Sequence, residues 1–189
     1  IPKIKKNRTE YEFSVDLNLI NFLYFVFPKS NCEIIYSKGF GKKIDILILS
    51  GGNDLLSFNK NKEHKMRFDL DFFFFTKAIK KNIPVIGICY GAQFLANFFK
   101  SSFKKIDNHV GKKHKIFMSD KSNESYVVNS FHNYGIKALG KELLSIYHSK
   151  DKYIECFKHE ELKILGLMWH PERHLPFKNN DKKIIKKIL

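Results

Sequence analysis

The sequence predicts an α/β fold: a mostly parallel sheet with helices on both faces, and extra short strands in the C-terminal half. Three observations carry that expectation. Between residues 14 and 99, short apolar, β-branched runs alternate with longer apolar segments across short links, the pattern of strands and crossover helices. The run Ile83-Pro84-Val85-Ile86-Gly87-Ile88 passes directly into Cys89-Tyr90-Gly91 and then an apolar segment of helical length, Ala92 to Phe99. Beyond Lys100 the pattern changes to short strands and turns. At 189 residues, with no repeat and no low-complexity linker, residues 1–189 are expected to form one domain.

Taken in order, Ser14 to Phe27 reads as a buried helix with Ser14 at its N-cap, ended by Pro28. Cys32 to Tyr36 and Ile44 to Leu49 read as strands on either side of a Gly39–Gly41 turn. After Gly51-Gly52-Asn53-Asp54 and a polar loop, Met66 to Lys80 reads as a helix. Its Phe72 to Phe75 cluster is expected in the core, since strands flank it. His114 to Met118, Ser125 to Val128, Leu143 to Tyr147, Lys152 to Phe157 and Lys163 to Trp169 read as strands. Asn133 to Gly140 reads as a brief helix, and Asp181 to Leu189 as a basic amphipathic one.

The chemistry centres on Gly-x-Cys-x-Gly between a strand and a helix, the setting of a nucleophile elbow. Such a turn lifts a sulfur out of the sheet to a helix N-terminus, where free N–H groups favour thiolate over thiol. The N–H of Tyr90 then points where an oxyanion develops. Alone, the motif competes with a buried structural cysteine. Trp169-His170-Pro171-Glu172 shifts the balance, because a cysteine nucleophile needs a base and the base an orienter. Pro171 keeps His170 out of the α region. In extended chain, residues two apart share a side, so Glu172 reaches the His170 imidazole.

Gly87-Ile88-Cys89-Tyr90-Gly91-Ala92-Gln93 with Trp169-His170-Pro171-Glu172 resembles the class I glutamine amidotransferases, and more narrowly their stand-alone γ-glutamyl hydrolase branch. The resemblance runs from about Ile44 to Arg173 and implies a flavodoxin-like sheet. Ile46 to Gly52 resembles the family's oxyanion strand and loop. Arg67 with Asp71 resembles its Arg-Asp…Glu helix pattern, although Phe68 stands where the family has Asp. Val128-Asn129-Ser130-Phe131-His132 resembles the segment lining the glutamyl pocket. The family opens on a strand, of which Ile1 to Lys5 reads as the remnant.

The resemblance implies these roles. Cys89 is the nucleophile, His170 the proton carrier and Glu172 its orienter. The N–H groups of Gly52 and Tyr90 form the oxyanion hole. Gly51, Gln93, Asn129, Ser130, Phe131 and His132 form the glutamyl pocket, with Arg173 beside it for an anionic leaving group. A glutamyl thioester forms and water releases glutamate, without any cofactor. The alternative is a glutaminase subunit that passes ammonia to a separate synthetase chain.

Composition narrows the partners. The net charge is +15, but the lysines are scattered and no nucleic-acid motif appears, so a small anionic γ-glutamyl substrate is expected rather than nucleic acid. No apolar run is long enough for a membrane helix. Cys32, Cys89 and Cys156 are an odd number without metal-type spacing, which points to a reduced, cytoplasmic chain. Cys32 and Cys156 are expected to pack only. His109, His114 and His132 show no ligand spacing, so no metal is expected. His64, His148, His159 and His174 read as surface residues. Ser50-Gly51-Gly52-Asn53 lacks the Lys-Ser/Thr of a phosphate-binding P-loop. A homo-oligomer is left open.

Overall fold

A computed structural model describes residues 1–7, 9–107, 109–120 and 124–188; the side chain of residue 188 and all of residue 189 lie outside it. In chain order the elements are β1 (Lys3–Asn7), β2 (Glu10–Ser14), α1 (Leu17–Val26), β3 (Leu47–Leu49), α2 (Lys62–Lys80), β4 (Val85–Ile88), α3 (Tyr90–Phe98), β5 (Ser102–Lys105), β6 (Val110–Met118), β7 (Ser125–Phe131), β8 (Tyr134–Ala138), β9 (Leu143–Ser149), β10 (Ile154–His159) and β11 (Ile164–Leu167). A 3-10 turn, Pro171–Arg173, and α4 (Asn179–Ile188) complete the chain.

The main sheet runs β3-β4-β11-β10-β9-β6-β7, with β8 branching from β10 and β5 pairing β8. The β3–β4 and β4–β11 ladders are parallel. The remaining ladders are antiparallel, so the sheet is mixed rather than mostly parallel, and its parallel part, β3-β4-β11, is one end of it. The expected α/β layering holds. Alternate strand residues feed two cores, as a pleat requires. Leu47, Leu49, Val85 and Ile164 pack with Leu70, Phe74, Phe75 and Phe94 of α2 and α3. Ile86, Ile88, Leu165 and Leu167 pack on the other face with Leu19, Phe22 and Val26 of α1 and Ile185 of α4. Among the described residues no helix is long and apolar enough to cross a membrane.

Several local expectations give way to longer-range pairing. Residues 10–14 pair with residues 3–7 in a hairpin, so α1 starts at Leu17 with Asp16, not Ser14, as its cap; the Asp16 side chain accepts from the Asn18 N–H at 2.9 Å. The expected Cys32–Tyr36 strand is irregular chain, where only Ile35 is buried. Residues 134–138 form a strand rather than a helix, because β5 and β10 supply the backbone partners. Phe74 and Phe75 are core, whereas Phe72 is 45% exposed.

The centre of the fold depends on one close approach. A Cβ at Gly87 would lie 2.5 Å from the Gly91 carbonyl, and one at Gly91 would lie 2.0 Å from the Leu49 carbonyl oxygen. Only glycine lets β3, β4 and the first turn of α3 stack this tightly. That contact fixes where α3 begins, and therefore where Cys89 stands.

Candidate active site

Cys89 joins β4 to α3 at φ 51° and ψ −103°. A side chain in that region is strained and persists only where its surroundings impose it. Here the Cys89 N–H donates to the Leu167 carbonyl at 2.7 Å, and the Cys89 carbonyl accepts from the Gln93 N–H at 2.9 Å. The result is the elbow expected from Gly-x-Cys-x-Gly. Tyr90 opens α3, so its N–H belongs to the first turn, where helix geometry supplies no acceptor.

Next to β4 lies β11, and it delivers His170 beside the elbow. Pro171 starts a 3-10 turn there, and His170 keeps a non-helical backbone. The expected contact forms, though by this turn rather than extended chain: His170 Nδ1 lies 2.6 Å from Glu172 Oε1. All three side chains are buried. The other imidazole nitrogen serves Cys89. Burial alone pushes a thiol up and an imidazole down. The charge of His170 and its hydrogen bond to Cys89 outweigh burial and hold the thiol below its ordinary value. Cys89 and Glu172 likewise outweigh burial at His170 and raise it to about 9. Both shifts favour the thiolate–imidazolium form over the neutral pair.

The loop after β3 closes the site. A Cβ at Gly51 would fall 2.6 Å from His170 Cε1 and 3.3 Å from Cys89 Cβ. Gly52 follows at φ +105°, a conformation that disfavours any side chain. Arg67 holds this loop from below. Its Nη2 donates to the Ser50 carbonyl at 2.8 Å, its Nε pairs with Asp71 Oδ2 at 2.8 Å, and its guanidinium lies 4.7 Å from the Tyr90 ring. Arg67 and Asp71 are completely buried. The Arg67–Asp71 motif thus ties the loop after β3 to the elbow.

A hollow of about 350 Å³ opens over Cys89 and His170, lined also by Gly52, Gln93, Phe131, His132, Tyr134 and Arg173. Gln93 is anchored through Nε2 to the Tyr134 carbonyl at 3.0 Å. Phe131 meets the His170 ring edge to face, with centroids 5.6 Å apart, and the Arg173 guanidinium lies 4.4 Å from the Phe131 ring. A larger cleft of about 670 Å³ lies between α1 and the 28–46 segment. It is mainly apolar and contains no nucleophile–base pair, so the chemistry belongs to the smaller hollow.

Three expected pocket residues do not line the hollow: Gly51 packs against His170 and Cys89, and Asn129 and Ser130 stand behind it. Asn129 Nδ2 donates to the His170 carbonyl at 2.7 Å, and its Oδ1 accepts from the His170 N–H at 2.8 Å. Both amide functions are thereby engaged, so Asn129 is a strut for the base. Ser130 is wholly buried against His109. His132 lines the hollow, but its nitrogens face the Tyr134 carbonyl and Glu155.

The histidines depart furthest from expectation. His109 just before β6, His114 within it and His132 just after β7 converge on buried Glu155 of β10, because β9 brings β10 and β6 into one sheet. His64 lines the hollow, His159 packs on Phe99, and His174 pairs with Asp181 at 3.2 Å; all three are buried. Sequence reasoning also passed over Lys3. Its stem lies over Gly52, and burial together with the Lys5 and Arg173 charges holds its amine below the ordinary value. No sequence spacing signals that contact, since it depends on the β1–β2 hairpin.

The family profile for glutamine amidotransferase class-I matches residues 19–189. The chain belongs to the class I glutamine amidotransferase family. Within it, the chain is 42% identical over 130 residues to the gamma-glutamyl-CDP-amidate hydrolase of Campylobacter jejuni, across 69% of this chain and 63% of that protein. It is 28% identical over 188 residues to a glutamine amidotransferase-like protein of Lactococcus lactis, across 84% of this chain and 78% of that one. A glutamine amidotransferase structure from Thermotoga maritima superposes with a TM-score of 0.65 at 19% identity, covering 91% and 77% of the two chains, which bears on the fold alone.

Proposed function

We propose that residues 1–189 form one hydrolytic unit that cleaves the γ-glutamyl amide bond of a small anionic conjugate. The observation that carries this reading is the strained Cys89 facing a buried His170–Glu172 pair inside a hollow sized for an amino-acid group. Cys89 Sγ attacks the γ-carbonyl carbon, and its electron pair forms the new C–S bond. The carbonyl oxygen takes the negative charge against the N–H groups of Gly52 and Tyr90. When the C–N bond breaks, the His170 imidazolium protonates the departing nitrogen. Neutral His170 then draws a proton from water, whose oxygen attacks the thioester. Collapse releases glutamate and returns Sγ as thiolate beside imidazolium. Glu172 holds the His170 tautomer throughout.

The leaving group follows from charge and kinship. The similarity to a gamma-glutamyl-CDP-amidate hydrolase supports a γ-glutamyl nucleotide amidate as substrate. Lys3 and Arg173, both beside the hollow, would meet its phosphates. Cys32, Cys89 and Cys156 are all free thiols, consistent with a reducing, cytoplasmic setting. No nucleic-acid partner or cofactor enters this reading.

The deciding experiment compares kcat/KM for glutamine, a γ-glutamyl amine and a γ-glutamyl nucleotide amidate at low and high salt. The nucleotide amidate should lead, and its advantage should shrink as salt screens the approach. Preference for glutamine would instead support an ammonia-supplying subunit.

A further inference from the structure

Behind the hollow, Glu155 sits completely buried and faces three imidazoles. His114 Nε2 lies 3.4 Å and His109 Nδ1 3.9 Å from Glu155 Oε1, while His132 Nε2 lies 3.7 Å from Oε2. These separations exceed those of charge-assisted hydrogen bonds, which fall near 2.7–2.9 Å. Both Glu155 oxygens, His132 Nε2 and His114 Nε2 are buried without a hydrogen-bond partner among the described residues. Such groups are costly unless something satisfies them.

The outer hydrogen bonds fix which nitrogens face inward. His132 Nδ1 lies 3.2 Å from the Tyr134 carbonyl, so it carries the proton and leaves the Nε2 lone pair directed at Glu155. His109 Nε2 lies 3.2 Å from Asp151 Oδ2, so it donates there and leaves the Nδ1 lone pair inward, 3.4 Å from the Ser130 hydroxyl and 3.9 Å from Glu155 Oε1. Ser149 Oγ donates in turn to Asp151. A histidine that donates to a carboxylate while its other nitrogen faces inward is the usual support of a metal-ligating imidazole. Lone pairs aimed at a carboxylate repel it unless a metal ion or a proton lies between them.

Spacing fits a metal. One donor atom each from His109, His132 and Glu155 lies within 4.8 Å of the others. Tetrahedral coordination with bonds of about 2.1 Å places ligand atoms about 3.4 Å apart; His109 and His132 stand 3.9 and 3.7 Å from Glu155, so a bound ion would draw the three donors slightly inward. Imidazole with carboxylate suits Zn²⁺ and its first-row neighbours. We propose that His109, His132 and Glu155, with His114 at the rim, form a binding site for a divalent transition metal of the Zn²⁺ type. It is separate from Cys89, His170 and Glu172, and a metal there would lock the His132 wall of the hollow.

The test uses the full chain carrying Cys89→Ser, which removes the reactive thiolate as a competing ligand. After treatment with chelator, Zn²⁺ is titrated calorimetrically and Co²⁺ by its visible absorption. The expected result is one Zn²⁺ per chain, a raised melting temperature, and a Co²⁺ spectrum with ligand-field bands but no sulfur charge transfer. Adding His109→Ala should weaken binding tenfold or more. Adding Asp151→Asn, a surface change that keeps every ligand, should weaken it by about 10–100-fold. Metal binding that neither substitution alters would overturn the site. So would a folded protein that binds no stoichiometric metal and whose histidine NMR shows a Zn²⁺-insensitive imidazolium against Glu155, since a proton would then be the occupant.

Discussion

Asn129 holds His170 by both backbone functions, N–H and C=O, at 2.8 and 2.7 Å. This clamp joins β7 to the turn after β11 and sets the height of the imidazole over Cys89. Asn129→Ala leaves two buried backbone groups unpaired, at about 1–3 kcal/mol each in stability. It should also lower kcat more than it raises KM, because the base shifts while the hollow persists. A purely KM effect in steady-state kinetics would return Asn129 to the pocket wall.

Gly51→Ala tests the loop. The added methyl meets His170 Cε1 at 2.6 Å, so the ring must move. A displacement of about 1 Å can cost about 10²-fold in rate. Loss on that scale is expected, with the melting temperature lowered by only a few degrees. Near-normal turnover would show that the loop yields instead of the imidazole.

Arg67→Met should destabilise the fold strongly. Removing one partner of a buried pair leaves Asp71 uncompensated, typically about 3–5 kcal/mol, and frees the Ser50 carbonyl next to the oxyanion loop. The double variant Arg67→Met/Asp71→Leu should recover stability but not rate, because the loop tether is still missing. Recovery of both would reduce the pair to a packing element.

The ionisation of the pair predicts a pH signature. His170 is raised from 6.5 to about 9, so its contribution to stability is fully present below about 6.5 and is lost as pH rises through about 9. Burial raises the Cys89 thiol, but His170 outweighs it, so the thiolate forms more readily than that of an ordinary thiol. Iodoacetamide should label Cys89 faster than an ordinary thiol near pH 7. Cys156, which burial raises well above the ordinary thiol value, should stay unlabelled. Equal labelling of Cys89 and Cys156 in the folded protein would remove the activation argument.

The elbow, the His-Pro-Glu turn and the central strands were legible because each is local: glycines at a close approach, a proline after the base, apolar runs bounded by turns. The Asn129 clamp was not, since the same amide serves equally as pocket lining or strut until the strand register is known. The His109–His114–His132 cluster escaped for the same reason, because only the sheet order β10-β9-β6-β7 brings its members to Glu155. Residues 134–138 misled, since a short segment with few helix breakers takes its structure from the strand edges beside it.

Charge around the mouth should separate substrates. Lys3→Ala and Arg173→Ala should each raise KM for a γ-glutamyl nucleotide amidate several-fold while leaving hydrolysis of an uncharged γ-glutamyl amide nearly unchanged. Equal losses on both substrates would assign these side chains to the oxyanion loop and to Phe131 rather than to phosphate.

The central claim is that Cys89 carries the glutamyl group as a thioester, and acid-quench mass spectrometry tests it most directly. Protein mixed with γ-glutamyl substrate and quenched during turnover is digested and its peptides weighed. The account predicts one added glutamyl group on the peptide bearing Cys89, removed by hydroxylamine and missing from Cys89→Ala, which should not turn over. Turnover by Cys89→Ala, or a glutamyl group carried on any other residue, would contradict it.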